Sequence, residues 1–190
     1  MWGKDLTPGG VDVISGIGKT HQISEWGKKT GEKALWNPYQ FSGEPIYHRL
    51  SKSLSSKLIE ALAKTRGKHF FIYIVLGMSG MYLLLASWRI PIFGLVFGSL
   101  AFSFIPRYHV LFQVGHFQHF RTLMLMPFVI FGFEYLWNKT DLTRLFIFFL
   151  ALSQLIGAMH YQIIYYVFLL LGFLIVFYSF DRLIKDVKKI

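Results

Sequence analysis

Hydrophobic and polar positions divide the chain into two unequal parts. Residues 1–50 are rich in Gly, Pro, Ser and Thr and show neither sustained helical periodicity nor strand alternation, so they read as ordered loop at best. From Ser53 the pattern changes: Leu54, Leu58, Ala61 and Leu62 recur at helical spacing while Lys57, Glu60 and Lys64 fall elsewhere on the wheel. That pattern predicts a short amphipathic helix near residues 53–64, lying at a membrane interface. Five apolar segments follow, at 70–88, 90–104, 122–137, 142–156 and 162–180. At 1.5 Å per residue the first and last reach about 28 Å and the middle three about 22 to 24 Å, against a hydrocarbon core of about 30 Å. The middle three must therefore tilt little, be extended by their flanks, or be partly re-entrant. Their short links, at Arg89, at 138–141 and at 157–161, imply antiparallel neighbours.

Composition agrees with this layout. Of 190 residues, 54% are hydrophobic and only 16% charged, too little charge to cover a soluble domain, so the excess apolar matter must face lipid. The expected fold is an all-α, polytopic integral membrane protein with about five transmembrane or partly re-entrant helices. Its expected parts are a loop region at 1–68, a helix block at 69–181 and a basic tail at 182–190.

The net charge of +10 is concentrated at membrane edges, since eleven of the twenty Lys and Arg precede Phe70. Charge so placed suits anionic headgroups or a phosphorylated lipid, whereas nucleic-acid binding would need a clustered basic face or a recognisable module, and neither is present. Cysteine is absent, which excludes thiol chemistry. With the N-terminal region outside, the inner connections and tail hold Arg89, Lys139, Arg144, Arg182, Lys185, Lys188 and Lys189, and the outer connections only Arg107 and Arg121. The positive-inside rule then favours N-out and C-in. The basic stretch Lys57, Lys64, Arg66 and Lys68 ahead of the first span argues the other way.

Several short motifs carry no chemistry. Gly18-Lys19-Thr20 imitates the end of a phosphate-binding loop, but Val13 stands where the first glycine belongs and no strand precedes it. Asn138-Lys139-Thr140 fits a glycosylation acceptor by chance, in a loop placed inside. Glu134, the one acid inside an apolar segment, is expected to snorkel to the interface. His109, His116 and His119 share the longest inter-span connection with Arg107 and Arg121. They read either as interfacial groups satisfied by water and headgroups or as contacts to an anionic substrate. His116 and His119 could also share a divalent metal, although no carboxylate nearby completes a set.

The N-terminal region holds Asp12, after Pro8-Gly9-Gly10, and Gln22. It continues into Leu35-Trp36-Asn37-Pro38, with Phe41, Gly43 and Pro45 following, and Gly115-His116 later precedes a span. This arrangement resembles the YfhO-like bacterial membrane proteins, of the GT-C class of glycosyltransferases that use polyprenyl-phosphate-linked sugars. Where that pattern has an apolar residue, Glu44 stands here. The family also has a helix before the Asp and many more spans, so the chain is expected to be a fragment. The resemblance implies transfer of a sugar from a polyprenyl-phosphate donor to an envelope polymer or lipid at the bacterial cytoplasmic membrane. It makes Asp12 the general base and gives Gln22, Trp36, Asn37, Arg107, His116, His119 and Arg121 to substrate binding, with no cofactor assigned beyond the open question of a divalent metal. The competing expectation is a non-catalytic component, transporter-like or structural, or an inactive piece of such an enzyme. Against a transporter, the apolar segments carry little polar matter along their middles.

Overall fold

The computed structural model describes residues 11–39, 42–46, 54–63 and 66–187, and helices account for 82% of it. Among the described residues, eight helices and one two-stranded hairpin follow in order: α1 (Val11–Thr30), β1 (Trp36–Asn37), β2 (Glu44–Pro45), α2 (Leu54–Leu62), α3 (Arg66–Ser87), α4 (Ile92–Ser103), α5 (Pro106–Val114), α6 (Phe117–Asn138), α7 (Leu142–Gly157) and α8 (Tyr161–Val187).

Four stretches are long and apolar enough to cross a membrane: Gly67–Ser87, Ile92–Val114, Phe117–Asn138 and Tyr161–Lys185. The fourth of the five apolar segments forms α7, a shorter apolar helix of 16 residues. Ile92–Val114 qualifies by length and composition but is not one rod. It breaks at Phe104 and Ile105, and Pro106, which has no N–H to donate, opens α5 at its first position. The sequence places 11–30 in a loop, and here the structure differs. This stretch is helix despite its three internal glycines, with Thr20 and Thr30 hydroxyls donating back to the carbonyls of Gly16 and Trp26. Gly18-Lys19-Thr20 lies inside α1, away from any strand-to-helix turn.

α6 is the hub of the bundle. α3 lies parallel to it: Phe70 stacks on Phe120, Gly77 abuts Met124 and Gly80 abuts Phe128. A methyl group at Gly77 or Gly80 would stand 2.5 or 2.8 Å from those side chains, so the glycines set the close approach. α7 returns along α6, with Gly132 against the Phe148 backbone, and α8 runs back up beside it, with Phe133 stacked on Tyr178. The buried core follows this seam through Phe120, Met124, Val129, Leu155 and Val167.

The bundle thus has two ends. At the near end, α5 lies beside the first turns of α3 and α6, its Tyr108 and Phe112 packed on Phe120 and its outer side touching α1. α2 also packs there, burying Ile59 and Ala63 while leaving Leu54, Leu58 and Leu62 uncovered by protein. This is the amphipathic helix that the spacing predicts, with Leu54 and Leu58 exposed and Leu62 at the rim of a groove beside α3. The far end holds the α3–α4 turn at Arg89, the α6–α7 turn at 138–141 and the end of α8.

Glycine 115 shows why a Gly-His pair precedes α6. It closes α5 in the left-handed conformation at φ 100°, and the next N–H, from His116, returns to the Leu111 carbonyl at 2.9 Å. The chain reverses there in one residue and His116 opens α6. Arg89 performs the same service for α3 at φ 58°, with a strain that glycine would not carry.

Candidate functional site

The Trp-Asn-Pro element builds a hairpin. β1 and β2 pair antiparallel, Trp36 opposite Pro45 and Asn37 opposite Glu44, and the Ile46 N–H donates to the Leu35 carbonyl. Asn37 is fully buried, and its Oδ1 accepts the Tyr39 N–H at 3.0 Å, an Asx turn that spans Pro38. Gly43, at φ 120°, lies under the Trp36 indole, where an added Cβ would stand 2.3 Å from the ring. Gly43 is therefore explained by the hairpin, because it makes room for the ring, whereas Asn37 shapes the turn through Oδ1 and leaves its Nδ2 buried without a hydrogen-bond partner among the described residues. Phe41 lies outside the described residues.

Trp36 remains half exposed and lines a pocket of about 450 Å³, whose walls also include Gln22, Ile23, Trp26 and Tyr39. Gln22 and Trp36, fourteen positions apart in sequence, meet in this one cavity.

 Trp26 and Tyr39 are the members that the sequence reading missed. Trp26 sits one helical turn after Gln22, the i, i+4 relation that would have found it once α1 was read as helix. Asp12 stands in the first turn of α1, and its side chain lies outside the described residues.

The basic residues of the near end fall into two groups. Arg107, His116 and His160 all lie within electrostatic range of His119, whose ring meets that of His160 at a centroid distance of 4.3 Å. His160, in the link between α7 and α8, joins the set only through the tertiary fold. Burial holds its imidazole below the ordinary histidine range, and the neighbouring His116 acts in the same direction. The group offers a guanidinium and several ring N–H donors from three elements, a set suited to phosphate oxygens. Among the described residues no three His, Asp or Glu side chains converge as a metal site.

Arg121 belongs elsewhere. Two residues along a helix are about 200° apart, so Arg121 and His119 leave α6 on opposite sides. The Arg121 guanidinium lies 5.5 Å from the Tyr73 ring centre, beside a second cavity of about 220 Å³ that Glu60 and His69 also line. The four basic residues assigned to one phosphate thus share an end of the bundle but not a pocket.

At the far end, two cations counted for topology have structural work. Arg144 of α7 donates from Nη1 to the Tyr135 carbonyl at 2.9 Å, and Arg182 of α8 donates from Nη2 to the Trp137 carbonyl at 2.8 Å. Each guanidinium also lies over the ring of the residue whose carbonyl it holds, at 4.0 and 4.6 Å. Both carbonyls belong to the last turn of α6, where no intrahelical donor remains and the helix dipole favours a cation. Glu134 corrects an expectation: it does not snorkel. It is buried and accepts a hydrogen bond from the Tyr178 hydroxyl of α8, because α8 brings a donor to its depth.

Comparison with protein families, with curated proteins and with solved structures found no match.

Proposed function

We propose that the chain carries the binding surface and base of a membrane glycosyltransferase of GT-C type, which moves a sugar from a polyprenyl-phosphate donor to an envelope acceptor. The observation that supports this most is the meeting of Gln22 and Trp36 with Trp26 and Tyr39 in one cavity. Aromatic faces pack on the C–H faces of a sugar ring while an amide bonds its hydroxyls, so this lining matches a glycosyl group better than a wholly apolar ligand. α1, which carries Gln22, touches α5, which carries Arg107. A sugar and a lipid phosphate could therefore be held at the same end of the bundle.

In the proposed step the acceptor oxygen attacks the anomeric carbon, and its proton passes to the Asp12 carboxylate. The bond from that carbon to the phosphate oxygen breaks, and polyprenyl phosphate leaves with its charge met by Arg107 and the imidazoles of His116 and His119. The N-terminal region faces outward in this reading, where envelope acceptors lie.

Sugar transfer from a radiolabelled polyprenyl-phosphate donor, measured in membranes that express the chain, tests the proposal. Asp12→Asn keeps the side chain's shape and removes the base, so transfer should fall about a hundredfold or more. Asp5→Asn, at the carboxylate nearest to Asp12 in sequence, and Glu44→Gln, in the hairpin, should retain most activity. Parental rates in Asp12→Asn would remove the catalytic role from this residue, and activity in all three would remove it from the region.

A further inference from the structure

We infer that the groove between α2, α3 and α5 seats one anionic phospholipid of the surrounding bilayer. The groove has a volume of about 510 Å³, and its walls include Leu62, Phe71, Ile74 and Phe104, with Lys68 and His109 among them. Phe71, Leu62 and Phe104 are each more than half exposed, so protein leaves the groove open from the side, where an acyl chain would enter.

Charge selects the occupant. Lys68 supplies a cation and His109 a ring N–H, and among the described lining residues there is no carboxylate. Lys68 stands in the first turn of α3, at the end of a stretch long and apolar enough to cross a membrane, and a lysine at such an end can snorkel to lipid phosphate. His109 is fixed by its edge-to-face contact with Phe70, at 5.0 Å between ring centres. A phosphate between these groups, with a chain passing down toward Ile74, satisfies the polar rim and the apolar wall together. The groove is separate from the cluster assigned to the donor phosphate. Arg107 and His109 are two residues apart on α5 and so point about 200° from each other, one toward His119 and the other toward Phe70. The inference stands whether or not the chain transfers sugar.

Native mass spectrometry of the purified chain, exchanged into micelles with equal amounts of phosphatidylglycerol and phosphatidylcholine, provides the test. One phosphatidylglycerol should be retained in preference to phosphatidylcholine by about tenfold, the worth of one charge-assisted bond. Lys68→Gln should remove most of that preference. His109→Phe, which keeps an aromatic ring against Phe70 but loses the N–H, should weaken it severalfold. Lys57→Gln removes an equal charge from the exposed side of α2 and should leave the preference unchanged. Equal losses in Lys57→Gln and Lys68→Gln would overturn the inference by showing a diffuse field. So would equal retention of the two lipids, or displacement of phosphatidylglycerol by an equal amount of polyprenyl phosphate, which would give the groove to the donor.

Discussion

Replacing Arg144 by lysine separates two roles that one positive charge could have. As a topological signal, Arg144 needs only to be a cation on the correct side of the membrane, and lysine serves equally. As the cap of α6 it needs a planar fork. Its Nη1 holds the Tyr135 carbonyl, its guanidinium lies 4.0 Å from the centre of that residue's ring, and its Nε stands 3.3 Å from Asp141. A charge-assisted hydrogen bond contributes about 1.5 to 3 kcal/mol. The ring contact adds about 0.5 to 1 kcal/mol, and more where water is excluded, as a side chain only 20% exposed suggests. The pair with the more open Asp141 adds under about 1 kcal/mol. These contributions share one guanidinium and do not simply add, so Arg144→Gln should cost about 2 to 4 kcal/mol. Lysine can reach one acceptor but cannot bond it and lie flat on the ring together, so Arg144→Lys should lose at least half as much. Unfolding in detergent by increasing dodecyl sulfate, followed by tryptophan fluorescence, measures both losses. If Arg144→Lys matches the parental protein while Arg144→Gln is weakened, charge alone accounts for the residue and the capping argument fails.

Four further outcomes are expected. Gly132→Ala places a Cβ 3.1 Å from the Phe148 backbone, which cannot swing aside, so the α6–α7 seam should lose about 1 to 3 kcal/mol in the same titration. His160 has a depressed pKa in the fold, so the unfolded chain binds its proton more readily; this contribution to stability is complete above about pH 6.5 and is lost as pH falls through and below that value. The parental protein should therefore weaken more than His160→Gln between about pH 7.5 and about pH 5.5, and equal weakening would exclude His160 as the cause. Arg107→Gln should reduce affinity for a polyprenyl-phosphate donor by about tenfold or more, whereas Arg121→Gln, facing Tyr73 instead, should leave it within about twofold. Because the chain has no cysteine, single cysteines at Lys28 and Lys139 report topology directly: an impermeant thiol reagent on intact cells should label position 28 and spare 139, and the reverse would invert the orientation.

The order of the apolar helices, the amphipathic α2 and the turn chemistry of the Trp-Asn-Pro element were legible in the sequence. Each of these is a local property: hydrophobic runs, a 3.6-residue period, or a residue whose own backbone or side chain shapes the turn. Local pattern failed at α1, where three glycines and an absent apolar stripe concealed a helix. Which polar groups meet depends on how the helices pack. His160 reaches His119 because α7 returns along α6, and Tyr178 reaches Glu134 because α8 lies parallel to it. Arg121 departs from Arg107 and His119 because helical geometry sends neighbours two apart to opposite sides, a separation that a list of nearby basic residues conceals. Gln22 and Trp36 likewise converge through the packing of α1 on the hairpin loop, and no spacing in the chain encodes that distance.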